Sequence, residues 1–311
     1  MARIIFPPTG QSLPASGLSQ GLGIAALLQS SKRRKGAVPL RRSFVQRVSG
    51  DDDGATKAPS PLSELVRSRG ARALDLYLLV AAVTTAAPFD VTERSELWAR
   101  CLGTYATGAS TSVKISRLWR RLEDLALVAR SQDGKHTKIT KLMEDGSGAA
   151  YVPPSGLVDG PLQDIYFRLP FEYWSDELYE KLSLPAKAML LICMSLRDPE
   201  FYIPDVFAEW YGLSPKTIRR GRHELVKAGI LKEVGLGMYI DTSRPTLTAT
   251  AAKYAFREPY NLNISKRAQA EISAAGPTKT VPGEGAPPAL PPNQDESVLS
   301  MEFLFSKRST L

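Results

Sequence analysis

The chain has 311 residues, of which 43% are hydrophobic and 23% charged, and its formal net charge is +8. At roughly 150 residues per domain this length predicts about two domains, and the composition excludes a fully disordered chain. The presence of only two cysteines, Cys101 and Cys193, excludes a disulfide framework and a multi-cysteine zinc site.

The positive charge is concentrated in separate segments. Residues 1–60, 110–141 and 214–259 carry an excess of Lys and Arg, whereas residues 142–213 carry an excess of Asp and Glu. Two short basic segments on either side of an acidic one indicate two copies of one binding element.

Three segments are predicted to lack a fold of their own. Residues 1–60 are rich in Pro, Gly and Ser and are predicted to form a disordered basic arm. Residues 146–161 are predicted to be a linker, and residues 261–311 a flexible tail. The arm contains a basic run formed by Lys32, Arg33, Arg34 and Lys35. We expect this run to make non-specific contacts with phosphate groups, and a merely solubilising tail is the alternative.

Residues 61–145 are predicted to form a first folded unit. It begins with an apolar helix, Leu74–Val83. Asp90, with Glu93 three residues later, predicts the cap of a second helix. A third helix, Val113–Leu125, is followed by strands at 127–130 and 137–139 around an Asp-Gly turn.

Residues 162–260 are predicted to form a second unit of similar order. A strand at 165–169 precedes the apolar helix Leu184–Leu196. A short helix, Pro204–Tyr211, leads to a third helix that Ser214 caps and that runs to Lys227. A hairpin follows, with strands at 230–234 and 238–240 joined by a glycine turn.

The two units are related by an internal repeat. A shift of 103 residues places Ile115 on Ile218, Leu122 on Leu225, and Arg117 on Arg220. This match predicts one duplicated and diverged unit.

The third helix of each unit carries the candidate DNA-binding residues. In the first helix Ile115, Leu118, Leu122 and Leu125 form an apolar stripe, and in the second Gly221 stands within the stripe, where it would let a neighbouring helix approach closely. The basic residues are then left on the other face, which suits a DNA major groove, although such a face is also common as plain solvated surface. The candidates are Ser112, Lys114, Arg117, Arg120, Arg121, Lys135 and Lys138 in the first unit and Ser214, Lys216, Thr217, Arg219, Arg220 and His223 in the second.

The second unit resembles helix-turn-helix proteins. Ala208, Gly212 and Ile218 match the small residue, turn glycine and buried aliphatic residue of that motif. Residues 61–260 as a whole resemble tandem winged-helix proteins, which include plasmid and phage replication initiators and some transcription regulators, and residues 167–174 are similar to a segment of such initiators. The resemblance implies a mainly α fold with small β-hairpins (α+β), in which two winged helix-turn-helix domains are flanked by disordered tails.

The function expected from these features is sequence-specific binding of double-stranded DNA by a replication initiator of a plasmid or other mobile element. A transcriptional repressor is one alternative, and a protein-interaction scaffold without DNA binding is another. We expect no enzymatic activity and no cofactor, because the two histidines lie far apart and no phosphate-binding loop is present.

Location and partners complete the expectations. No apolar stretch approaches the roughly 20 residues of a membrane helix, and the first residues do not form a secretion signal, so we expect a cytoplasmic, nucleoid-associated protein with no membrane partner. Further partners to consider are a second copy of the chain and a replication protein that binds the apolar C-terminal segment Val298–Phe305. Folding of that segment back onto its own chain is the favoured alternative.

Overall fold

Helices and strands alternate along the computed structural model, which describes residues 20–31, 36–46, 59–105, 110–134, 136–154, 165–241 and 245–263. The α-helices are α1 (Gln20–Ser30), α2 (Pro61–Arg67), α3 (Ala71–Val83), α4 (Ser95–Cys101), α5 (Ser110–Asp124), α6 (Glu172–Ser175), α7 (Leu178–Lys181), α8 (Leu184–Leu196) and α9 (Pro215–Lys227). The strands are β1 (Ala37–Arg41), β2 (Asp90–Glu93), β3 (Val128–Asp133), β4 (His136–Lys141), β5 (Tyr166–Pro170), β6 (Phe201–Tyr202), β7 (Leu231–Ile240) and β8 (Thr248–Phe256). The fold class is therefore α+β. Within the described ranges, no helix combines the length and the apolar character required to cross a bilayer.

Two stretches of the N-terminal region are folded, so the prediction of a disordered arm over residues 1–60 is wrong for them. Strand β1 pairs antiparallel with β5, with Val38 opposite Leu169. Val38, Leu40 and Phe44 are fully buried, and α1 buries Ile24 and Leu27. Burial of these apolar side chains offsets the conformational entropy that the chain loses on ordering. The prediction missed them because Pro and Gly residues are frequent in this region.

A buried ionic network attaches β1 to the first hairpin. The Arg41 guanidinium donates to Glu144 at 2.8 Å, and the Lys141 ammonium donates to the other Glu144 oxygen at 2.9 Å. The Lys141 ammonium also lies 3.7 Å from the centre of the Tyr151 ring. Glu144 and Tyr151 follow β4 directly, so this part of the chain packs on the first unit rather than leaving it as a free linker.

The internal repeat is present in the topology. The order α3–β2–α4–α5–β3–β4 recurs as α8–β6–3₁₀ helix–α9–β7–β8, with the 3₁₀ helix at Asp205–Tyr211 in place of α4. The first sheet has the strand order β2-β4-β3, and the second has the equivalent order β6-β8-β7. In both, a short strand before the second helix pairs with the last strand of the hairpin.

The repeat extends to individual backbone hydrogen bonds. After α5 the Leu127 amide donates to the Leu122 carbonyl at 3.0 Å, and after α9 the Ile230 amide donates to the Leu225 carbonyl at 3.0 Å. All four of these side chains are buried. The two copies therefore end the third helix and enter the hairpin in the same way.

This shared helix end predicts the effect of exchanging its residues. Ala126 has a φ of +52°, and Gly229 has a φ of +72° at the equivalent position. A left-handed conformation costs a non-glycine residue about 1–2 kcal/mol. Ala126→Gly should therefore raise the free energy of unfolding by about 1 kcal/mol in urea titrations, because glycine gives back part of this gain in the unfolded chain. Gly229→Ala, the matched reverse exchange, should lower it; two changes of the same sign would contradict this account.

Two further predictions about the elements are corrected. Asp90 and Glu93 belong to β2 rather than to a helix cap, and α4 begins at Ser95 with no side-chain cap bond from Arg94. The predicted glycine turn at 235–237 lies inside β7, whose register shifts between Glu233 and Gly235. The strand that pairs with β7 in the hairpin is β8. It was not predicted, because its Ala and Thr residues lack a clear apolar alternation.

The two repeats pack against each other within one compact unit. Helix α3 contacts α8 through an ion pair in which the Lys187 ammonium lies 2.7 Å from the Asp75 carboxylate. The Tyr173 hydroxyl donates to the same carboxylate at 3.1 Å. Helix α2 also contacts α8, so the first and second repeats share a core.

Candidate nucleic-acid interface

Helix α5 is amphipathic and presents its basic side chains to solvent. It buries Thr111, Ile115, Trp119 and Leu122, and the Trp119 ring meets Trp98 edge-on at 5.3 Å. Leu118 and Leu125, predicted in the buried stripe, are only half-buried because Trp119 takes the central place. On the opposite side Ser112, Lys114, Arg117 and Arg120 are exposed.

Helix α9 has the same arrangement and packs closely on α8. Ile218, Gly221 and Leu225 are buried, whereas the basic side chains predicted on the outer face are exposed. A Cβ atom at Gly221 would lie 2.4 Å from the Pro185 carbonyl oxygen, which confirms the predicted close approach of a neighbouring helix. The Arg222 guanidinium donates to the Ile203 carbonyl at 2.6 Å and so anchors α9 from the inner side.

Each helix carries a straight row of exposed side chains at positions i, i+4 and i+7, which share one helix face. We call them the first row (Val113, Arg117 and Arg120) and the second row (Lys216, Arg220 and His223). The two rows occupy equivalent positions of the repeat. Each lies away from the buried stripe of its helix, so five side chains capable of donating hydrogen bonds and one valine face solvent.

Three of the predicted DNA-binding cations have partners within the chain. The Arg121 guanidinium donates to the Ser68 carbonyl, which ties α5 to the end of α2. The Lys138 ammonium lies 2.6 Å from Asp90, and this contact raises the pKa of Lys138. The Arg219 guanidinium lies 3.3 Å from Asp205, but its side chain stays 62% exposed. Arg121 and Lys138 therefore have structural contacts, while Arg219 remains accessible.

The hydroxyl groups at the start of α9 are engaged in capping. The Ser214 hydroxyl oxygen accepts from the Thr217 amide at 3.1 Å and lies 2.8 Å from the Thr217 hydroxyl. This confirms the predicted cap, and it satisfies an amide that would otherwise need another acceptor. Lys32, Arg33, Arg34, Lys35 and Lys135 lie outside the described residues.

The exposed face of α9 forms one wall of a groove of about 1200 Å³. Lys216, Arg220 and His223 of the second row line it, and so does Lys181 of α7. Sequence reasoning did not select Lys181, because it lies in the acidic middle of the chain. Its ammonium is 3.3 Å from Glu177, and the lysine side chain is 60% exposed.

A hydrogen bond joins two residues that line this groove. The Tyr260 hydroxyl donates to Asp176 at 2.7 Å. Burial and the hydrogen bond to Asp176 raise the pKa of Tyr260 well above its usual value, so the phenol stays protonated and donates to the carboxylate. The Asp176 charge is thereby partly compensated, and the groove keeps a cationic wall.

Neither cysteine is placed for nucleophilic chemistry. Both side chains are buried, and burial raises the pKa of Cys101 to about 12 and that of Cys193 further. Since the thiolate is the reactive form, these thiols are inert at neutral pH.

The exposed side chains of this surface are chemically able to bind anions, and they stand at equivalent positions of the repeat. Guanidinium and ammonium groups stand on exposed faces of α5 and α9, and the Arg groups can form paired hydrogen bonds with phosphates or guanine edges. The helices that carry them occupy equivalent places in the element order of the two copies. Comparisons with protein-family models, with curated proteins and with solved structures give no match to this chain.

Proposed function

We propose that the protein is a sequence-specific double-stranded DNA-binding protein built from two winged-helix units. The order helix, short strand, helix, helix, hairpin supports this proposal, as does the sheet in which the short strand pairs with the last hairpin strand. In this proposal α5 and α9 are the recognition helices, and the β3–β4 and β7–β8 hairpins are the wings.

The observation that carries the proposal is the repetition of an exposed basic row. One basic helix face is commonly no more than solvated surface. Here two equivalent helices of one compact unit each leave a row of side chains exposed on the face opposite their buried stripe. Recognition helices need such a face, because an α-helix enters the major groove and reads base edges with its outer side chains.

Specific roles follow for the side chains. Arg117 and Arg220 occupy the middle of the two rows and are the candidate guanine readers, since Arg donates to both the O6 and N7 acceptors of guanine. Lys114, Arg120 and Arg219 lie on or beside the rows, and Lys181 lines the same groove as the second row; all four are candidate phosphate contacts.

The test is a binding-site selection from a random duplex library with the full chain, followed by affinity measurements on the selected site. Arg117→Ala and Arg220→Ala should each weaken binding by about 1–3 kcal/mol and relax the preference at one base pair. Arg67→Ala is the control, because Arg67 is also exposed but pairs with Glu64 on α2 and belongs to neither row.

The double variant decides the assignment. Unchanged affinity after replacement of both Arg117 and Arg220 would show that these rows do not contact DNA. Absence of any DNA complex at low salt would instead refute DNA binding and favour an interaction scaffold.

Within this function we propose the role of a replication initiator for a plasmid or other mobile element, on the basis of the resemblance of residues 61–260 to such proteins. Footprinting on the parent replicon tests it. Protection of tandem repeats beside an AT-rich segment is the expected result, and protection of one site over a promoter would instead identify a repressor.

A further inference from the structure

One member of the first row is apolar. Val113 lies in the first turns of α5 with 49% of its surface exposed, although the residues that pack α5 on the protein lie on the opposite face. Arg117 and Arg120 continue the row from Val113 at i+4 and i+7. The valine therefore stands on the outer face among cations, where packing within the described chain gives no reason for an apolar side chain.

The second row differs at this position. The residue equivalent to Val113 is Lys216, which is also exposed, whereas Arg117 and Arg220 match. The N-terminal residues of a recognition helix contact base edges most directly. An exchange of valine for lysine at this position changes the chemistry from an apolar contact to a hydrogen-bond donor.

We propose that Val113 contacts the 5-methyl group of a thymine, while Lys216 donates to the O6 or N7 acceptor of a guanine at the equivalent position. This inference rests on the proposed DNA-binding function. It adds which base each half of the DNA site presents to the start of its recognition helix. The thymine methyl is the one apolar group that a base pair presents in the major groove, so it is the group that a valine there recognises. The DNA site is then asymmetric, although the protein is a repeat.

The cations beside Val113 identify the partner as DNA rather than an apolar protein surface. Lys114 and Arg117 are exposed next to it, and burying Val113 against an apolar partner would also desolvate these charges. Against a duplex the same cations face phosphates and base acceptors. The two cations then have hydrogen-bond acceptors while Val113 has an apolar contact.

Replacement of single thymines by deoxyuridine in the selected DNA site tests the proposal, because deoxyuridine lacks only the methyl group. With the unmodified protein, one such replacement in the half contacted by α5 should weaken binding about fourfold, the value of one buried methyl group. Val113→Ala should weaken binding to the thymine site to a similar degree and abolish the difference between thymine and deoxyuridine at that position.

Two variants serve as controls. Val113→Thr keeps a methyl group on a β-branched side chain and should retain discrimination between thymine and deoxyuridine. Val152→Ala changes an exposed valine that lies in neither row and should leave the deoxyuridine profile unchanged. Selection with Val113→Lys should replace the thymine by guanine at the affected position.

The outcomes separate this inference from the proposed function. If Val113→Ala and the unmodified protein give the same deoxyuridine profile while both bind DNA, the methyl contact is wrong and DNA binding stands. If the full chain binds no duplex in the selection, both proposals fall together.

Discussion

Replacing Lys187 by methionine should lower the free energy of unfolding at about pH 7 by about 3–5 kcal/mol, the usual cost of leaving a buried charge without its partner. The Lys187 side chain is 4% exposed, and its ammonium lies 2.7 Å from both oxygens of Asp75. It also donates to the Tyr179 carbonyl at 2.5 Å. The methionine fills similar volume but leaves the Asp75 carboxylate in the core between the two repeats.

The pH dependence of this variant has a defined sign. Burial raises the pKa of Asp75, and the Lys187 ammonium and the Tyr173 hydroxyl counteract part of that rise. Without Lys187 the folded-state pKa rises further above the unfolded value of about 3.9. A carboxyl group whose pKa is higher in the folded state lowers the free energy of unfolding as the pH rises from its unfolded-state pKa to its folded-state pKa. The difference in the free energy of unfolding between Lys187→Met and the unmodified protein should thus be smaller near about pH 5 than near about pH 7.

Lys181→Met provides the matched control in the same denaturation series. Its ion pair with Glu177 is exposed on both sides, so the expected loss is below about 1 kcal/mol. Equal stabilities of the Lys187→Met chain and the unmodified chain at neutral pH would contradict a buried ion pair at the contact of α3 with α8.

Gly221→Ala should lower the free energy of unfolding by about 3 kcal/mol, at the upper end of the usual cost of overpacking. The new Cβ would lie 2.4 Å from the Pro185 carbonyl oxygen and 2.5 Å from the Met189 Cγ. The carbonyl belongs to the backbone at the start of α8 and cannot rotate away, so one helix must shift. The higher helix propensity of alanine returns only about 1 kcal/mol.

Gly21→Ala is the control for helix propensity. Gly21 lies in α1, and a Cβ there would approach only the Tyr179 hydroxyl, at 3.9 Å. This variant should become more stable by up to about 1 kcal/mol in the same thermal or urea measurements. A Gly221→Ala protein as stable as Gly21→Ala would show that α8 and α9 do not need the glycine contact.

Much of the second repeat could be predicted because its signals are local. The start of α8 follows from Ser183 and Pro185 before a mostly apolar segment, and the start of α9 follows from Ser214 and Pro215. The same signals failed in β1, where pairing with β5 over a long sequence separation orders five residues of modest strand character. They failed again in β8, whose alanines would also suit a helix.

The sequence could predict which helix faces carry exposed basic residues, but not which of these residues have hydrogen-bond or ion-pair partners within the chain. Helical spacing alone placed Arg117 and Arg220 on outer faces, since the buried stripe determines the opposite side. Spacing cannot show that Arg121 reaches the Ser68 carbonyl or that Lys138 pairs with Asp90, because these contacts depend on the packing of distant segments. Lys181 was missed because it lies in the acidic part of the sequence, and only the fold brings it to the groove beside α9.

The single core beneath both repeats has a consequence for helical phase. A duplex turns by about 35° with each base pair, so the edges that face the protein depend on the number of pairs between the two halves of a site. Domains joined by a flexible linker can follow such a rotation, but α5 and α9 belong to one compact unit. On the proposed DNA-binding function, inserting or deleting one base pair between the halves would therefore turn one set of base edges away from its helix, and the spacing of the halves would be part of the recognised site.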